Sequence, residues 1–153
     1  MKEEPDTPQQ LRARALRLLA RREHSRMELA RKLAPRAESG EALVALLDDL
    51  ERRKQLSDER FAELRAHVLS RKYGTARIRL DLRAKGIAEQ TVERMALASA
   101  ESDVERARAI LARRYAAPAA TLEERARRSR FLQGRGFSHA VIGRLLGRDS
   151  IEE

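Results

Sequence analysis

Leu82-Arg83-Ala84-Lys85-Gly86 decides the fold, because its pattern stands twice more in the chain at a fixed distance. It returns as Leu33-Ala34-Pro35-Arg36-Ala37 and as Leu132-Gln133-Gly134-Arg135-Gly136. The three leucines are 49 and then 50 residues apart. At the same offsets Leu43, Leu46 and Leu47 match Val92, Met95 and Ala96, which match Ile142, Leu145 and Leu146. One structural unit is therefore written three times. A unit of about fifty residues buries too little surface alone, and stacking on neighbours supplies the rest of its core. Repeat arrays present a surface rather than a pocket, which points to binding and away from catalysis.

The unit reads as helices. Ala, Leu, Arg and Glu dominate, and all four suit helix interiors. Thr7 before Pro8, with Gln10 at the third helical position, is a capping box with proline in the first turn. Leu11, Ala15, Leu18 and Leu19 then form one apolar stripe. Ser25 with Glu28 is a second box, and Pro35 stops the helix that it opens. Ser39 caps a third helix that carries Leu43, Leu46, Leu47 and Leu50. The first repeat is thus expected to hold helices at 8–22, 26–34 and 40–55.

The second repeat opens at Ser57-Asp58, with Phe61, Leu64 and Val68 on its first stripe. Gly74 breaks that helix and Thr75 caps the next. Here Ile78, Leu80 and Leu82 alternate with Arg79, Asp81 and Arg83, which alone reads as a half-buried strand. The equivalent segments 26–36 and 125–135 do not alternate, so the repeat makes this one helical. Gly86 ends it, and 90–99 is the third helix. The third repeat opens with a box at Ser102 and Glu105 and gains about eight residues at 115–122, around Pro118. Thr121 with Glu124 restarts the helix, Gly136 ends it, Ser138 caps the last helix and Gly147 closes that one. The expected architecture is all-α. It has a polar tail at 1–7, three-helix repeats at 8–56, 57–100 and 101–148, and a tail at 149–153. Stacked in tandem, the repeats form an elongated array that can curve.

Composition limits the setting. There is no cysteine, so disulfide and thiol chemistry are out, in keeping with a reducing cytosol. The first ten residues are too polar for a signal peptide, and no apolar run approaches the roughly 18 residues of a membrane helix. A cytoplasmic protein, monomeric and without membrane contact, is expected.

The formal net charge is +9, unevenly placed. Residues 38–63 carry eight acids against four bases, whereas residues 71–85 carry six bases against Asp81 alone. Such a chain suits a polyanion, or a protein partner with an acidic groove. A plainer source of the arginines is a genome rich in arginine codons.

Two clusters are candidate binding surfaces. Arg71, Lys72, Arg77, Arg79, Arg83 and Lys85 form the denser one, with little opposite charge inside the segment. Arg125, Arg128, Arg130 and Arg135 form the other. The column Arg36, Lys85, Arg135 is basic in every repeat, although cations at helix C-termini also serve the helix dipole. Tyr73 and Tyr115 each follow a basic pair, Arg71-Lys72 and Arg113-Arg114. Packing between helices is the expectation for both rings, and Phe61, Phe131 and Phe137 read as core.

Catalysis finds no support. His24, His67 and His139 lack metal-ligand spacing, and no phosphate loop, dinucleotide fingerprint or zinc-protease motif is present. Asp48, Asp49 and Glu51 read as a solvated helix face. Neither cofactor nor metal is expected.

Four fragments together resemble one family. Arg22-Glu23-His24-Ser25 with Glu28-Leu29 and Lys32-Leu33 resembles the first repeat of the RecX regulatory proteins. Leu56-Ser57-Asp58 with Arg60-Phe61-Ala62 resembles the start of their second repeat, with Ser57-Asp58 where an acidic pair is usual. Tyr73-Gly74-Thr75-Ala76-Arg77-Ile78, then Leu82 and Lys85-Gly86-Ile87, resembles that repeat's core. Phe131-Leu132 with Arg135-Gly136-Phe137-Ser138 resembles the third. The resemblance spans about residues 11–147 and implies three tandem three-helix repeats. It also implies a protein that binds the RecA recombinase filament on DNA and regulates it negatively. Such proteins limit filament growth, ATP hydrolysis, strand exchange and repressor co-cleavage in DNA repair and the SOS response, without catalytic residues of their own. The rival reading is a protein that binds DNA directly through units like helix-turn-helix modules. No segment, however, offers a recognition helix with base-reading side chains.

Overall fold

The computed structural model describes residues 3–147. Among them are nine α-helices and no strand. They run α1 (Pro8–Arg21), α2 (Arg26–Leu33), α3 (Gly40–Arg52), α4 (Asp58–Ser70), α5 (Thr75–Ala84), α6 (Glu89–Ala100), α7 (Asp103–Arg114), α8 (Leu122–Gly134) and α9 (His139–Leu146). None is long and apolar enough to cross a membrane. The chain divides into two compact units. The first runs to Ala62 and includes Lys85–Ile87, and the second takes Glu63–Ala84 and the chain from Ala88 onward.

In the first unit the caps are built as the sequence indicates. Thr7 accepts from the Gln10 amide and Ser25 from the Glu28 amide, and both boxes are closed by the return bond. Ser39 accepts from the Ala42 amide. At Pro35 the chain tightens into one 3-10 turn, Ala34–Arg36. Leu11, Ala15, Leu29, Leu33, Leu46, Leu47, Leu50 and Leu56 make the core. The Arg26 amide, an orphan donor at the start of α2, is taken by the Asp58 carboxylate at 2.7 Å. Asp48, Asp49 and Glu51 are not a merely solvated face. Arg26 reaches Asp48 and Glu51, and Asp49 meets Arg12, Arg52 and Arg53.

His24 is buried and held as a neutral ring. Its Nδ1 faces the Arg22 carbonyl at 3.0 Å, and its Nε2 faces the Lys32 ammonium at 2.9 Å. The ammonium can only donate, so Nε2 accepts and Nδ1 carries the proton. Burial lowers the pKa of the ring, against the Arg22 carbonyl.

In the second unit Ile78 and Leu82 are fully buried, while Leu80 is 64% exposed. A strand would put all three on one face; a helix sends Leu80 outward. Leu82, Val92, Ala96, Leu132 and Ile142 are buried, as is Leu33 in the first unit. Phe61 and Phe137 are core, whereas Phe131 is only half-buried.

Two expected caps are not made. Ser102 has φ −106° and ψ 4° and no capping bond. Its hydroxyl instead donates to the Ser99 carbonyl and accepts from Arg106. The Thr75 hydroxyl goes to Asp103 at 2.8 Å. Thr121 accepts from the Glu124 amide, but Glu124 returns to the Ala120 amide, one residue short of a closed box.

The α4–α5 loop and the α8–α9 turn meet main chain to main chain. The Gly74 amide donates to the Arg135 carbonyl at 2.7 Å, and the Ala76 amide to the Gly136 carbonyl at 3.2 Å. Gly136 has φ +92°, and a Cβ there would lie 2.7 Å from the Arg77 amide nitrogen.

Candidate functional site

The cations singled out in the sequence fall into two groups of different character. Arg79 of α5 is paired with Glu93 of α6 through two bonds of 3.2 Å. Arg83 is paired with Glu89 at 3.0 and 2.5 Å and reaches Glu93 at 3.5 Å. The bonds from Arg83 lower the Glu89 pKa, and Glu89 in turn raises that of Arg83. Lys85, in the first unit, lies 3.8 Å from Glu28. For Arg79, Arg83 and Lys85 the opposite charge missing from segment 71–85 is therefore supplied by other elements, and the α5 face of Arg79 and Arg83 is largely compensated.

The second group is not compensated. Arg71, Lys72 and Tyr73 just after α4, Ile110, Arg113 and Arg114 of α7, Phe131 of α8 and Arg135 just past it line a groove of about 670 Å³. No carboxylate is among them. Arg77, at the start of α5, stands over the Tyr73 ring at 5.1 Å. Arg130 is exposed on α8, and Arg128 packs over Tyr115 at 4.3 Å and donates to the Ala117 carbonyl.

The groove is rigidly framed. The carbonyl that ends α4 and those of the three loop residues after it have no helical partner, and arginines of the third repeat take them. Arg106 donates to the carbonyls of Ser70 and Tyr73, Arg113 to that of Arg71 and Arg135 to that of Lys72. Cations at a helix C-terminus also meet its negative end favourably. Arg106 further binds Ser99 and Asp103, and burial pushes its pKa down against the attraction of Asp103.

The aromatic rings are covered by guanidinium groups rather than open. Arg77 and Arg135 lie over Tyr73, and Arg114 and Arg135 over Phe131 at 5.0 and 5.1 Å. Tyr115 meets Phe131 edge-on at 6.1 Å.

The structure thus brings together Arg71, Lys72, Arg77 and Arg135 and sets apart Arg79, Arg83 and Lys85. It adds Arg113 and Arg114, which sequence reasoning did not select. The signal for them was present, since Arg113-Arg114-Tyr115 repeats Arg71-Lys72-Tyr73 at the end of the first helix of its repeat. Of the basic column, Arg36 pairs with Asp6 and Glu3, Lys85 with Glu28, and Arg135 with no carboxylate among the described residues. No group of three or more His, Asp or Glu side chains suited to a metal occurs among them either.

Three family models match this chain in order. They are the first three-helix domain of RecX over residues 12–48, the second over 57–95 and the third over 101–146. A regulatory protein RecX of Ralstonia pickettii is 43% identical over 150 residues, covering 97% of this chain and 94% of its own. That of Herbaspirillum seropedicae is 46% identical over 138 residues, 90% of each chain. The crystal structure of RecX from Lactobacillus salivarius superposes with a TM-score of 0.78 at 22% identity, over 94% of this chain and 97% of that one. Three matched domains in sequence order, near-full-length relatives and a shared helical fold place this chain in the RecX family of regulatory proteins.

Proposed function

We propose that the protein is a negative regulator of the RecA recombinase that binds the RecA filament on DNA and restrains its growth, ATPase, strand-exchange and co-protease activities. Membership of a family of regulatory proteins supports this, as does the carboxylate-free cationic groove of the second unit. That groove suits a phosphate backbone or an acidic protein surface. We read the protein as a cytoplasmic monomer of three repeats, 8–56, 57–100 and 101–148, acting by binding alone.

The test is the DNA-dependent ATPase of the cognate RecA. Inhibition is expected at substoichiometric to near-stoichiometric ratios and is expected to persist when DNA is saturating. Full relief by added DNA would instead favour the second reading, a protein that binds DNA directly and competes for it. The charge of the groove keeps that reading in play.

A further inference from the structure

We propose that the groove of Arg71, Lys72, Arg113, Arg114 and Arg135 binds a run of phosphate groups through its cations and stacks no bases. The inference rests on the reading above for its setting at DNA, and on its own geometry for its chemistry.

Three observations carry it. The first is that no carboxylate neutralises the groove. Arg12, Arg26, Arg36, Arg79 and Arg83 each have a carboxylate partner, whereas the five groove cations and Arg77 have none within 4 Å among the described residues. A loop carbonyl takes one donor each of Arg113 and Arg135, but a guanidinium carries five. Nothing in the fold uses the rest, and gathering like charges costs free energy that an anion recovers.

The second is preorganisation. Arg77, Arg114 and Arg135 are stacked on rings, and Arg113 and Arg135 are tied to main-chain carbonyls. Long side chains fixed before binding lose less entropy on binding.

The third is what the groove lacks. Single-strand binders that stack bases keep aromatic faces open as platforms. Here Tyr73 and Phe131 lie under guanidinium groups.

The test titrates the full chain against labelled oligothymidylate, an abasic phosphodiester of the same phosphate count, and tripolyphosphate as competitor. The abasic chain is expected to bind within about twofold of the thymidylate, since one stacked base would add roughly 5- to 150-fold. Loss of binding on that larger scale would overturn the proposal. Displacement by tripolyphosphate at equal phosphate concentration would make free oligophosphates ligands too. Failure to displace, with the abasic chain still bound, would assign the groove to the phosphodiester backbone.

Among variants, Arg71→Gln with Arg114→Gln should lower the log–log salt slope by about 1.4 on a single strand. Arg79→Gln with Arg83→Gln should leave it unchanged, and the reverse ranking, in variants with wild-type helical content, would overturn the proposal. Tyr73→Phe should bind as wild type and Tyr73→Ala should bind more weakly, as expected of a positioning residue. Wild-type binding by Tyr73→Ala would overturn the ring's part in the groove. No recombinase is present in this titration, so its failure leaves the regulatory reading to be decided by the ATPase assay.

Discussion

Gly74 gives its amide proton to the Arg135 carbonyl at 2.7 Å, and a methyl group on Gly74 would lie 2.6 Å from the Gly136 carbonyl carbon. The obstacle is main chain, so no side chain can turn aside to relieve it. Gly74→Ala should therefore destabilise the protein by roughly 1–3 kcal/mol, the usual cost of overpacking. Gly40, with nothing within 4 Å and no positive φ, is the control. Gly40→Ala should be neutral or stabilising by up to about 1 kcal/mol. Thermal melts of the two variants check both expectations, and equal losses would mean that the loop contact is not formed in solution.

Leu33, Leu82 and Leu132 have no exposed surface. Each should cost roughly 2–5 kcal/mol when cut to alanine. Denaturant unfolding measures this, and a loss under about 1 kcal/mol at any one site would remove it from the shared core position.

Stability should fall with acid in two stages. The His24 pKa is lowered in the folded state, so the unfolded chain binds the extra proton first. Stability then declines as pH drops below about 6.5, the ordinary histidine value. Asp6, bonded to Arg14 and Arg36, is held at about 2. Burial opposes ionisation of Glu28, yet the Arg22 bond and the Ser25 amide also hold it at about 2. Their contributions are present above the ordinary carboxylate range and vanish as pH falls from there toward 2. Melting temperature against pH should show both stages, and His24→Gln should flatten only the upper one.

The α5 face is predicted to be structural. Reversing Arg79 and Arg83 to Glu places like charge against Glu89 and Glu93 and should lower the melting temperature. Adding Glu89→Arg and Glu93→Arg should restore it. Absence of that rescue would show that these pairs do not persist in solution.

The helical class was legible because three leucines recur with their following stripe, and all three prove buried. The α5 segment shows why the repeat outweighed local alternation: Leu80 is exposed while Ile78 and Leu82 are not. What was illegible depends on distant partners. The acids that neutralise Arg79 and Arg83 sit on the next helix, outside the basic segment 71–85. Ser102 matches a capping box in spacing, but its backbone is not extended and Arg106 claims its hydroxyl. Thr75 looked like a cap because nothing in sequence announces Asp103, 28 residues on.

The main-chain seam at Gly74 and Gly136 has a consequence for how such a chain can be divided. Its period is written in the sequence, but this seam crosses from the second repeat to the third. With it go the carbonyls of Ser70, Arg71, Lys72 and Tyr73 that Arg106, Arg113 and Arg135 satisfy. A fragment cut at the boundary of the second repeat would carry away one half of a shared junction and expose the other. The sequence period and the unit expected to unfold cooperatively thus have different borders, and a shuffled or shortened array should inherit both loops together.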